Sequence, residues 1–202
     1  MYAGIKISGT NAEVFPGQWE FQIGPCLGIE QGDHLWAARY LLQRCAEEHN
    51  LSVSFKPKIF SDWNGSGCHT NYSTAKMRDG SGGMDYIHQM MKKFEAKHSL
   101  HISLYGADNH KRLTGVHETS SIHNFSYGTG NRAASFRIPT QVMHDNGKGY
   151  VEDRRPASNI DPYIVTAIVF DTSCIENTQA ATMVEHYKSW TEWLPTAGIP
   201  NF

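Results

Sequence analysis

Between Glu13 and Pro25 the chain reads EVFPGQWEFQIGP, the stretch that most restricts how the rest can fold. Trp19, Phe21 and Ile23 alternate with Glu20 and Gln22, the period of a strand with one apolar and one polar face. Pro16 and Gly17 mark a turn ahead of it, so a hairpin is expected. A loop centred on that pair sets Phe15 opposite Gln18, Val14 opposite Trp19 and Glu13 opposite Glu20. Facing carboxylates repel, and a hard divalent cation such as Mg²⁺ reverses that sign by taking their oxygens. Two solvated glutamates on an edge hairpin satisfy the same residues, because Pro-Gly is not the turn that best matches strand twist.

With 202 residues, 40% of them hydrophobic, the chain can bury one substantial core and reads as a single globular domain. A net charge of −2 argues against a nucleic-acid partner. Cys26, Cys45, Cys68 and Cys174 show no C-x-x-C spacing, and no apolar run reaches the roughly 18 residues of a membrane span. Reduced thiols, no membrane partner and a cytoplasmic location are expected. The opening MYAGIKISG has neither the basic nor the apolar section of a signal peptide, nor a cap or turn, and reads as though chain were missing upstream.

Residues 5–8 suggest a strand and residues 9–11 a turn. After a loop over 28–32, Asp33 can cap a helix over 34–48 that buries Leu35, Ala38, Leu42 and Cys45 and leaves its arginines and glutamates solvated. Residues 52–56 alternate as a strand ended by Pro57. A polar loop is expected over 77–83, an amphipathic helix over 85–98 burying Ile87, Met90, Met91 and Phe94, and a strand over 100–104. Asp161 as cap and Pro162 at the first helical position start a deeply buried helix running to about Cys174. Residues 178–193 can form another helix.

Four stretches carry unusual chemistry. In DWNGSGCHTNYS, residues 62–73, the Asn64-Gly65 and Ser66-Gly67 pairs let backbone approach a ligand closely. His69, Asn71 and Ser73 share a face if that segment is extended, although a lone histidine is more often a satisfied polar residue than a ligand. Residues 108–131 form a long polar loop of the kind found both in lids and in disordered segments, with Arg112, His117 and Glu118 within seven residues. In NRAASFRIP, Arg132 precedes a strand that points Phe136 and Ile138 one way and Arg137 the other; such arginines suit phosphate or carboxylate, or sit in weak surface ion pairs. In GYVEDRRPASNIDP, residues 149–162, Tyr150, Glu152 and Arg154 share one face and Val151, Asp153 and Arg155 the other.

In order, NAEVFPGQWEFQIGP, GDHLW, WNGSGCHTN, RLTGVHETS, NRAASFRIP and GYVEDRRPASNIDPY resemble the catalytic domain of eukaryotic-type glutamine synthetase. The resemblance assigns residues 1–176 to that domain and leaves 177–202 as a divergent tail. It implies an α+β fold, with a curved, mainly antiparallel sheet and helices packed outside. It also implies ligation of ammonia to L-glutamate with ATP, through a γ-glutamyl phosphate, by a homo-oligomer of stacked rings. Mg²⁺ or Mn²⁺ would serve as cofactor, one ion on Glu13 and Glu20 and a second on His69 and Glu152. By the same resemblance Arg132 and Arg137 contact phosphates, Arg132 also nears glutamate, and Arg154 with Arg112 orients the glutamate carboxylates. Trp63, Asn64 and Gly65 complete the amino-acid pocket. The nucleotide would lie along Glu20, Phe21, Gln22, Ile23, Gly24 and Pro25 with Asn71, Ser73 and Tyr150, and Glu118 is the flap carboxylate of the ammonium site. The family's small β-grasp domain and the Glu-x-Glu strand that opens its catalytic domain are not represented, and Asp62 stands where an uncharged residue is more usual. Two expectations follow: an N-terminally truncated ligase chain, or a non-catalytic relative that keeps metal and nucleotide contacts in an assembly or structural role.

Overall fold

The structure is a computed structural model that describes residues 2–175. Pro16 and Gly17 do make a turn: Gln18 N–H donates to Phe15 O at 2.9 Å, and Gly17 takes φ +83°, the left-handed position after proline in a type II turn. That turn splays strands, so pairing resumes only at Glu13, whose N–H donates to Gln18 O at 3.0 Å. β1 (Ile7–Ala12) and β2 (Trp19–Ile23) then run antiparallel, with Ala12 opposite Trp19 and Asn11 opposite Glu20. The expected register is therefore wrong. Asn11, not Glu13, faces Glu20, and Glu13 lies diagonally across from it. Residues 9–11 belong to β1 rather than to a turn, and a bulge between Ile7 and Gly9 absorbs the mismatch. Phe21 and Ile23 pack on the core, but Trp19, at the loop end of the ribbon, is 71% exposed.

A second sheet joins β3 (Thr70–Tyr72), β4 (Tyr127–Thr129), β5 (Phe136–Ile138) and β6 (Val151–Asp153) in the order β3-β6-β5-β4. Its β3–β6 and β5–β6 pairings are antiparallel and β4–β5 is parallel, which gives a mainly antiparallel α+β arrangement. The register sets Asn71 and Arg137 on either side of Glu152, so the three form one row across the polar face. Phe136, Ile138 and Val151 project to the other face, into a core shared with Ile87, Met90, Met91 and Phe94 of α3 (Gly83–Ala96) and with Val165, Ile168 and Val169 of α6 (Pro162–Phe170). Asp161 caps α6 as expected, accepting from Tyr163 N–H at 2.9 Å, and a π turn over Asp171–Ile175 carries it to the expected end.

Other expectations fail for physical reasons. α1 (Glu30–Glu48) starts before Asp33, which accepts instead from the Tyr163 hydroxyl at 2.5 Å. Its Leu42 and Cys45 are exposed, while Arg39 is buried and donates to Ile160 O and Ser158 O. Residues 52–56 join no strand among the described residues, and residues 75–79 form a short helix, α2 (Ala75–Asp79), capped by Thr74. The expected strand at 100–104 is α4 (His98–Leu104), which buries His98, His101 and Leu104 at helical spacing. A short helix, α5 (Thr140–His144), links β5 to β6. The helix expected at 178–193 lies outside the described residues.

Behind the sheet, Arg155 is fully buried, paired to Asp153 at 2.8–2.9 Å and ringed by Phe94, Tyr105, Phe125 and Phe136. Tyr105 donates to Asp153 at 2.7 Å, which makes its oxygen the acceptor for His101 Nδ1–H at 2.6 Å, and His101 Nε2 then accepts from Thr172. The polar strand β6 is thereby locked from its buried side. Among the described residues no helix is long and apolar enough to cross a membrane, and all four cysteines are free thiols.

Candidate functional site

The polar face of the sheet and the β1–β2 ribbon enclose an open cavity of about 2190 Å³. Every residue proposed above as a site residue lines it. At its floor Glu152 is 5% exposed and held by Arg137 Nε and by Arg154 Nη1, the latter 3.3 Å from both carboxylate oxygens. His69 Nδ1 stands 3.4 Å from Glu152 Oε1, a spacing that suits two ligands of one ion. Packed protein atoms, then the charges of Arg154, Arg112, Arg137 and Arg132, hold the His69 imidazole well below its ordinary range, although about a third of the side chain still meets solvent in the cavity. A neutral ring is the form that ligates metal.

Arg112 forms one wall. Its Nη2 donates to the carbonyls of Arg154, Arg155 and Pro156 at 2.6–3.1 Å and its Nε to Asn109, while Nη1 lies beside Gly67 and His69. Burial, with the charge of Arg154, brings this guanidinium down to about 10. Gly65 packs against the same side chain: a Cβ there would come 2.5 Å from Arg112 Cγ and 2.6 Å from Pro57 O. That close approach, made to the protein itself, accounts for one of the glycines read as making room for a ligand.

Opposite stands the ribbon. Its tip is fastened by Phe15 against the rings of Phe60 and Trp63, and by Gln18 Nε2 to Gly65 O at 3.2 Å and Ser66 Oγ at 2.8 Å. Glu13 and Glu20 share its polar face. Partial burial and the neighbouring Glu20 charge raise the Glu13 carboxyl, opposed by a 3.0 Å bond from Asn11 and by Arg132. The chemistry of two oxygen-only acids this close fits a hard divalent ion, whose positive charge would offset their repulsion. Gln22 donates to Glu20 at 3.1 Å, and beyond β2 the chain lines the cavity on through Leu27, with Asn71, Ser73 and Tyr150 lining it too.

The loop over 113–122 closes one side. It is tied by a Thr114–Ser121 bridge and by Thr119 Oγ1 to Arg112 O at 3.1 Å, and it carries His117 and Glu118 in the left-handed region, at φ +55° and +58°. Sequence reasoning missed Gln18 and Arg78 as cavity residues. Gln18 was hidden by the register, and Arg78, bonded to Ser73 O at 3.0 Å, by the reading of its helix as a loop.

Residues 1–175 match the family model for the glutamine synthetase catalytic domain. The chain is 58% identical to glutamine synthetase of Candida glabrata over 194 residues, covering 95% of this chain and 51% of that protein. It is 61% identical to glutamine synthetase of Neurospora crassa over 173 residues, 85% of this chain and 47% of that protein. The chain thus spans about half the length of the curated relatives it matches. The cryo-EM structure of Plasmodium falciparum glutamine synthetase superposes with a TM-score of 0.69 at 19% identity, over 84% of this chain and 34% of that one, a likeness of fold.

Proposed function

The chain belongs to the glutamine synthetase family, and from that premise we propose that its cavity serves ATP-dependent ligation of ammonia to L-glutamate through a γ-glutamyl phosphate. The observation that carries this reading is the row Asn71–Glu152–Arg137 facing an acidic ribbon across one cavity, with Glu118 at its side. Glu13 with Glu20, and His69 with Glu152, would each hold a Mg²⁺ or Mn²⁺ ion. A divalent ion there supplies positive charge to the phosphoryl oxygens. Arg132 and Arg137 bind phosphate oxygens, and Arg137 also fixes Glu152. Arg154 orients the glutamate carboxylates. Arg112 supports it by holding the 154–156 carbonyls and offers its Nη1 edge to the pocket formed with Trp63, Asn64 and Gly65. Nucleotide lies along residues 20–25, Asn71, Ser73 and Tyr150. Glu118 binds ammonium, accepts its proton and, with its loop, excludes water that would hydrolyse the acyl phosphate.

Exposed Tyr40 and Leu41 on α1 leave apolar surface of the kind that self-association covers, which supports a homo-oligomer, and the free thiols are in keeping with a cytoplasmic location. The test is a biosynthetic and γ-glutamyl transferase assay with Mg²⁺ or Mn²⁺, run on the 202-residue chain and on the chain joined to the upstream half of a fungal relative. Activity of the joined protein that is lost on Arg154→Ala supports the reading. Inactivity of both, with the joined protein folded, overturns it in favour of a non-catalytic role.

A further inference from the structure

We propose that Cys26, Glu30 and His34 form a binding site for a thiophilic divalent ion such as Zn²⁺ at the joint between the ribbon and α1. One ligand atom from each, a thiol sulfur, a carboxylate oxygen and an imidazole nitrogen, all lie within 4.8 Å of one another, and all three side chains are half-buried. Glu30 and His34 are one turn apart on α1, with His34 Nε2 3.6 Å from Glu30 Oε1. Zinc bond lengths of about 2.0–2.3 Å set ligands about 3.3–3.8 Å apart, so side-chain rotations of on the order of 1 Å close the set. Three protein ligands leave a fourth position for water.

The surroundings are arranged for such an ion. Glu30 Oε2 accepts Leu27 N–H at 3.1 Å, which pins the carboxylate and aims Oε1 at the shared space. Lys6 Nζ lies 2.5 Å from that same Oε1, so an ammonium already holds a cation's place. Its side chain is 46% exposed and swings to solvent when an ion enters. As the sulfur–metal bond forms, the Cys26 S–H bond breaks and its proton leaves to water.

The donor chemistry separates this site from the cavity. Oxygen-rich sets such as Glu13 with Glu20 favour Mg²⁺ or Mn²⁺, whereas a thiolate with imidazole favours zinc. Glu30 and His34 do not line the cavity, although Cys26 does. The joint is also mechanical, because Gly24 N–H donates to Lys6 O at 3.0 Å at the base of the ribbon. An ion on Cys26 and α1 would tie residues 24–26 to the helix. No role in the proposed function is assigned to these three side chains, so the two readings fail independently.

The experiment is a Co²⁺ titration of the full 202-residue chain, followed by the thiolate-to-metal charge-transfer absorption. One equivalent should raise the band and Zn²⁺ should remove it, while excess Mg²⁺ leaves it unchanged. Cys26→Ser should abolish it, His34→Ala should weaken binding by about tenfold or more, and Lys6→Met should tighten it by clearing the competing ammonium. A band that survives Cys26→Ser overturns the proposal. Alkylation of the unmutated chain, read by mass spectrometry, does not depend on how the variants fold. Zn²⁺ should slow modification of Cys26 while exposed Cys45 reacts as before, and an unchanged Cys26 rate overturns the proposal.

Discussion

Glu118 reaches Arg132 with its carboxylate, Oε2 to Nη2 at 3.0 Å, while its own carbonyl accepts from Arg154 Nη2 at 3.3 Å. One loop residue thus touches an arginine assigned to phosphate and another assigned to glutamate. Both members of the ion pair are about half exposed, which limits its contribution to stability to about 1 kcal/mol or less. Glu118→Ala should therefore fold normally and bind nucleotide almost unchanged, yet lose roughly 10²-fold or more in glutamine formation in the joined protein. Calorimetric nucleotide titration beside the biosynthetic assay checks this; an ATP affinity that falls as far as turnover would count against the role.

Glu152 is the buried anion among Arg137, Arg154 and His69. Glu152→Gln leaves those cations without their charge partner and should cost about 3 kcal/mol of stability in urea titrations. It should also remove one of two Mn²⁺ equivalents counted by electron paramagnetic resonance. Two equivalents retained by the folded variant would exclude Glu152 as a ligand.

Gly65 has no room for a methyl group between Arg112 and Pro57 O. Gly65→Ala should destabilise the chain by about 1–3 kcal/mol and loosen the ribbon tip, since Gln18 bonds to Gly65 O. Fluorescence of Trp63, which packs on Phe15 beside this loop, reports the displacement. An unshifted spectrum with wild-type stability would mean that the wall yields freely.

Burial holds His98 and His101 below their ordinary range, most strongly His101, and the charge of Arg155 adds to it. The unfolded chain protonates these rings near pH 6.5 while the folded one keeps them neutral, so their contribution is complete above about 6.5 and is lost as pH falls below it. His101→Asn should flatten the dependence of unfolding free energy on pH between 6.5 and 5 by up to about one proton. Equal slopes for the two proteins would contradict this.

Elements with a single strong local cue were readable in the sequence. α3 follows from its apolar spacing and α6 from Asp161-Pro162. α4 was misread because Ser-Leu-His-Ile-Ser-Leu mimics alternation, and two of its three buried residues are histidines, which no count of apolar positions includes. The Pro16-Gly17 turn was located correctly, but its type, not its position, sets the register. That Arg137 and Glu152 face the cavity was legible, because alternation on β5 and β6 points them away from the apolar side. What brings Asn71 beside them is a pairing between distant segments, which no local pattern encodes. Cys26, Glu30 and His34 carry no joint cue in the sequence, since a helix beginning only at His34 would not place Glu30 one turn before it.

β6 lies between β3 and β5, so one of the two inner strands of the sheet is also the last of the four in the chain. While the polypeptide is being synthesised, Asn71 and Arg137 are therefore made with nothing to sit between them. The long loop from Thr70 to Asp153 can close only after β6 emerges, and until then β5 has only β4 to pair with. The surface that would grip a phosphate therefore cannot be complete before β6 has been made, and α3, which precedes β5 in the chain, is the element already present to cover Phe136 and Ile138.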